Sequence, residues 1–218
     1  MLSIFEILFL LALDEENGKI LPFAKKTLAY GLSGGILAEL AFLGKVSTNE
    51  KHRLELSDAE MTGDNILDET IEEIQSSDKL RRLTYWVSQF SSRPKKLREG
   101  VGERLVTKEI LVRDDRRLFW KSAVGENDAP TIQTKFEMKI PLRACILSNG
   151  ECNARDLALL NVASACGLLN LVFTQDELAI AQQHVHEKVV RDALSNPVMQ
   201  TIEEIQQAII SSLEDDMD

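Results

Sequence analysis

Apolar and polar positions follow a mainly helical rhythm along this chain. The opening run "LSIFEILFLLAL" is apolar on every side, and Ser3 with Glu6 forms a capping box. A buried helix is predicted to begin there and to end near Asn17-Gly18. A second apolar helix is predicted over 25–43, stopped by Gly44. Val46, the polar run "STNEKH" and the alternating "RLELS" predict a hairpin. Ile66, Leu67, Ile71 and Ile74 recur at helical spacing, and Leu80, Leu83, Trp86, Val87 and Phe90 continue a helical face until Pro94. A helix over 95–109 leads into "ILVRDDRRLFWKSA", again strand, polar turn, strand. "TIQTKFEMKI" alternates and predicts a further strand, whereas "ARDLALLNVASACGLLNLVF" predicts a central helix. Thr174 with Glu177 opens another helix to about Asp192, and the last helix follows Pro197. The fold class is therefore mainly α, with two or three short β-hairpins: one domain over 1–213 and an acidic tail, "EDDMD", over 214–218.

Two segments resemble each other. "LAFLGKVSTNEKHRLEL" and "LVTKEILVRDDRRLFW" both run from helix end to strand, turn and strand, with Leu40 matching Leu105 and Val46 matching Leu111 at an offset of 65 residues. The first unit also carries Gly31, Gly34 and Gly35, each costing a helix about 1 kcal/mol relative to alanine. On one helix face they predict a smooth strip for close approach of another helix, with the 154–169 segment, which has Ala163, Ala165 and Gly167 of its own, as candidate neighbour.

Composition narrows the function. Of 218 residues, 44% are hydrophobic, enough for a sizeable core, and the net charge of −10 argues against a general nucleic-acid binder. Three cysteines, Cys145, Cys152 and Cys166, stand at no metal-like spacing; the odd number argues against a disulfide framework and fits a reducing compartment. The two most apolar runs are short or interrupted by polar residues and read as core helices, since a span needs about 20 apolar residues.

Against the acidic total, the stretch 79–98 holds seven basic residues and no acid, interleaved with Tyr85, Trp86 and Phe90. Such a pattern suits an anionic surface, where each Lys or Arg is worth about 1 kcal/mol. The same cations also suit internal pairing with the acid-rich stretch 58–73, and the same aromatics suit the core. A continuous basic pocket would favour the first reading and a mosaic of ion pairs the second. "HVH" places His184 and His186 on diverging faces of a helix, which disfavours a metal site. "GVGERL" lacks the third glycine and the preceding strand of a dinucleotide fingerprint. No catalytic constellation is legible, so neither an enzyme nor a cofactor is expected.

The runs "LSIFEILFLLALDEENG", "GLSGGILAELAFLGKV", "TGDNILDETIEEI", "LVTKEIL" and "DLALLNVASACGLLNLVF" together resemble the Golgi phosphoprotein 3 family over nearly the whole chain. The resemblance implies a single-domain helical bundle wrapped by amphipathic helices. It implies a peripheral protein on the cytoplasmic side of membranes, the Golgi in a eukaryote, that recognises phosphatidylinositol 4-phosphate and grips cytosolic tails of membrane proteins. The implied headgroup site falls on Lys95 and Arg98, with Lys25, Lys26 and Ser33 beside it; Ser33 and Ala24 stand where the family has Arg and Trp. The hairpin residues Leu118, Phe119 and Trp120, flanked by cations, are the implied membrane or self-association element, so a homo-oligomer is an expected state.

The leading expectation is thus a non-enzymatic adaptor binding anionic phospholipid. The alternatives are a winged-helix-like nucleic-acid-binding regulator, motivated by the repeated helix–hairpin unit, and a protein-interaction module without lipid binding. The helix before the first hairpin is too apolar to lie in a DNA groove.

Overall fold

The computed structural model describes residues 1–14, 16–114, 117–120, 135–148 and 152–216. In chain order its elements are α1 (Ile4–Ala12), α2 (Leu28–Phe42), β1 (Val46–Thr48), β2 (Leu54–Leu56), α3 (Asn65–Gln75), α4 (Leu83–Ser91), α5 (Pro94–Thr107), β3 (Leu111–Asp114), β4 (Arg117–Trp120), α6 (Lys135–Leu147), α7 (Ala154–Ala165), α8 (Leu178–Ala193) and α9 (Pro197–Asp215). The fold is mainly α. The strands form two antiparallel hairpins, with Val46 opposite Leu56 and Leu111 opposite Trp120.

Segments that are apolar all round have to sit in the middle. Every residue of α2 except Phe42 is buried, and α1, α4, α7 and α9 pack around it. Glycine makes the closest of these contacts possible. A Cβ at Gly35 would stand 3.1 Å from the Cα of Phe5, so α1 meets α2 at backbone distance. Gly31 faces Leu8 of α1, and Gly34 faces Ile205 and Ile209 of α9. The predicted neighbour, α7, is not the partner of this strip; only Cys166, just past its end, comes within 3.3 Å of a Cβ at Gly31. The reason is rotation: residues three and four apart lie on adjacent rather than identical headings, so the glycines serve two helices.

The repeated unit is real at the backbone. Two residues past its end, α2 is followed by Gly44 with φ 69° and α5 by Glu109 with φ 58°, the two positions being 65 residues apart. Lys45 N–H donates to Leu40 O and Ile110 N–H to Leu105 O, both at 2.9 Å, so each helix closes in the same left-handed cap before its hairpin.

Four expectations are corrected. Of the strand predicted over 131–140, residues 131–134 lie outside the described residues and 135–140 are helical, in a helix that runs on to Leu147: Met138, Leu142, Cys145 and Ile146 are buried at helical spacing against α7 and α8. The alternation that suggested a strand ends at Ile140, before most of this face. Leu80 lies ahead of α4 and is exposed, since the chain pairs Arg53 with Arg82 before the helix starts. The central apolar segment breaks at Gly167, with φ 65°, and continues as a 3-10 turn over Leu169–Leu171. At the C-terminal end, α9 includes Glu214 and Asp215, and Tyr30 donates to the Asp216 carboxylate at 2.6 Å. The fourth correction concerns the cysteines, whose odd number argued against a disulfide framework: Cys145 and Cys152 are joined by a disulfide, seven residues apart, and Cys166 is the one left free and buried.

Candidate functional site

The basic stretch 79–98 runs through α4 into the first turns of α5. On α4, Trp86 and Phe90 are buried and stacked with centroids 5.6 Å apart, so both aromatics belong to the core. Tyr85 remains exposed, with the Arg81 guanidinium 4.8 Å from its ring centroid. α5 starts at Pro94, with no side-chain cap from Arg93.

A cavity of about 800 Å³ opens between α3, the end of α4 and α5. Ile36, Ile66, Phe90 and Leu97 are among its apolar lining residues, and its rim is charged. Arg93 donates to both oxygens of Glu73 at 2.8 and 2.6 Å, and that carboxylate raises the guanidinium pKa further. Lys96 pairs with Glu69 at 2.7 Å, Arg113 with Glu103 at 2.6 Å, and Lys95 loosely with Glu99 at 3.9 Å. Each cation of the rim therefore faces a carboxylate: a mosaic rather than a continuous basic pocket.

The five headgroup positions separate. Lys95 lines the cavity. Arg98, one turn on, bonds through Nε to Pro94 O at 3.0 Å and has no carboxylate within 4 Å among the described residues. Lys25 and Lys26 stand exposed on the turn before α2, away from the cavity lining. Ser33 is fully buried, its hydroxyl donating to Ala29 O at 2.8 Å. The cause is the all-round burial of α2, which encloses a hydroxyl already satisfied by its own helix. Of the hairpin residues, Leu118 turns inward against Gly102 and packs, partly buried, against the core, and its N–H donates to Gly18 O at 3.3 Å. The side chains of Phe119 and Trp120 lie outside the described residues. His184 is likewise structural, with Nδ1 3.0 Å from Ile146 O.

Sequence reasoning missed a second charged cluster. Glu6 is fully buried and accepts from Arg104 at 2.6 Å, Lys108 at 2.7 Å and the Ser3 N–H at 2.8 Å. Burial pushes its carboxyl up; Lys108, the Ser3 N–H and Arg104 together outweigh that and hold it below the usual range. Arg104 also pairs with Asp64, while Glu39 takes Arg155 and the Ile4 N–H. The one available signal was a glutamate in each of two apolar runs. The neighbouring "TGDNILDE" stretch is a folding device. Asp64 caps α3, and Asp68 accepts from the Thr62 N–H and hydroxyl, both at 2.7 Å, and from the Gly63 N–H.

The Golgi phosphoprotein 3 (GPP34) family model matches residues 4–205, from α1 into α9. The chain belongs to the Golgi phosphoprotein 3 family. It is also 33% identical over 138 residues to Vacuolar protein sorting-associated protein 74 of Schizosaccharomyces pombe, a match covering 54% of this chain and 40% of that protein. The match therefore spans less than half the length of that curated relative. The Golgi phosphoprotein 3 match takes in both helix–hairpin units, the cavity and the buried Glu6 cluster. Among the described residues, no helix is long and apolar enough to cross a membrane.

Proposed function

We propose that this chain is a non-enzymatic peripheral membrane adaptor that binds anionic phospholipid headgroups, phosphatidylinositol 4-phosphate by family resemblance. Its place is the cytoplasmic face of a membrane, the Golgi in a eukaryote. Cytosolic tails of membrane proteins are its further partners, and copies associate through the β3–β4 hairpin. Beside family membership, the first turn of α5 supports this reading. No side chain caps it, Lys95 is 84% exposed, and Arg98 lacks a carboxylate partner among the described residues. Open N–H groups, the positive end of the helix dipole and two cations together suit a phosphate. The paired rim suits a headgroup with several negative charges, able to compete for Arg93 and Lys96.

Co-sedimentation with phosphatidylcholine vesicles, with and without anionic lipid, tests the proposal. Binding should require anionic lipid, weaken with salt and fall with Lys95→Ala plus Arg98→Ala. Absence of binding at low salt, or indifference to both substitutions, would overturn it. The mosaic of ion pairs favours a second reading, a protein-interaction module without lipid binding, which absence of binding at low salt would promote. The nucleic-acid reading is not supported, because α2, one of its two candidate recognition helices, is buried.

A further inference from the structure

The solvent side of α6 is apolar where a surface helix is ordinarily polar. Phe136 is 73% exposed and Ile140, one turn on, 52%. Both project from the side opposite the buried Met138, Leu142, Cys145 and Ile146. A groove of about 660 Å³, with Val172 and Phe173 among its lining residues, runs beside them. Arg143 closes one edge of this groove, held by Glu177 through bonds of 2.8 and 2.6 Å.

The position of this face says what covers it. Lys135 Nζ donates to Leu13 O at 2.7 Å, fixing the start of α6 at the C-terminal end of α1. The same end holds Leu118 of the hairpin on Gly18 O, and Leu21 on Ala12 O at 2.9 Å. From the turn beyond Leu21, Phe23 projects 48% exposed, followed by Lys25 and Lys26. Lys19, Lys25, Lys26 and Lys139 have no carboxylate within 4 Å among the described residues. Among the described residues of these segments the acids are Asp14, Glu16 and Glu137. The Asp14 carboxylate is taken up by its own turn, accepting from the N–H groups of Glu16 and Asn17. Projecting aromatic and aliphatic side chains with lysines that have no carboxylate partner among the described residues fit a bilayer interface, where the apolar groups enter and the lysines reach headgroups.

We infer that Phe136 and Ile140 of α6, with Lys139 beside them and Phe23, Lys25 and Lys26 across the same end, insert into the interface of an anionic bilayer. The inference rests on the membrane reading above and adds a contact separate from Lys95 and Arg98. The test uses the full chain and vesicles of phosphatidylcholine with about one-third phosphatidylserine. Phe136→Ser with Ile140→Ser should weaken binding about tenfold, as expected for two large apolar groups partly withdrawn from water. The melting temperature should stay unchanged, since both side chains are exposed. Phe136→Trp should add a tryptophan signal that shifts blue on adding vesicles and is quenched by brominated lipid. If the unaltered chain binds and the double serine variant binds equally, this inference fails while the membrane reading stands. A blue shift that depends on protein concentration without vesicles also overturns it, in favour of a second copy on this face. Failure of the unaltered chain to bind overturns both.

Discussion

The α2–β1–β2 and α5–β3–β4 units share a backbone design but not an environment. Both helices close in a left-handed cap and pass straight into a hairpin. α2 is enclosed, held by apolar side chains and by glycines that bring neighbouring helices to backbone distance. α5 buries only Val101, Gly102 and Leu105, and it is tied to α1 through Arg104 and Lys108 on Glu6. One backbone solution therefore serves as a core in one place and as a charged outer face in the other. The first is locked by shape, whereas the second is anchored by charge and leaves most of its surface exposed.

Substitution at matching positions should separate the two most sharply. Gly35 and Gly100 are equivalent by the 65-residue offset, yet a Cβ at Gly35 meets Phe5 backbone at 3.1 Å while one at Gly100 meets only Ile66, at 3.8 Å. Gly35→Leu should cost about 3 kcal/mol or more, because backbone cannot step aside. Gly100→Ala should be neutral or stabilising by about 0.5–1 kcal/mol, through helix propensity. Urea denaturation of the two variants measures the contrast, and equal losses would erase it.

Next in size is the charge anchor. Glu6→Gln should cost about 2–3 kcal/mol by leaving Arg104 and Lys108 with a weaker partner. Because the folded carboxyl lies below its ordinary value near 4.5, its contribution is complete above that pH. It is lost as pH falls through the depressed folded value. Denaturation midpoints followed from pH 6 downward should therefore drop more steeply for the unaltered chain than for Glu6→Gln. Parallel curves would remove Glu6 as the anchor.

The smallest effect concerns the caps. Gly44→Ala should cost about 1 kcal/mol at its left-handed φ, and Glu109→Gly should gain somewhat less than about 1 kcal/mol. Thermal melts of the two variants should move in opposite directions.

Much of this was legible in the chain. The capping boxes at Ser3 and Thr174, the stop at Gly44 and the two hairpins follow from local stereochemistry. Residues 135–147 misled because their alternation ends before the helical face is complete. The candidate site was legible only in part. The cluster of cations in 79–98 is plain in the sequence, but the pairing of Arg93 with Glu73 and Lys96 with Glu69 joins different helices. Ser33 likewise reads as a polar position until α2 is seen to be buried all round.

Local order thus determined the mainly helical class, the repeated unit and the reserve of positive charge, because periodicity and caps act within a few residues. The tertiary structure alone decided which helices the glycines admit, that Glu6 is the anchor of α5, and that Phe136 and Ile140 face outward. Those outcomes depend on burial and on distances between segments far apart in the chain, which no local pattern encodes.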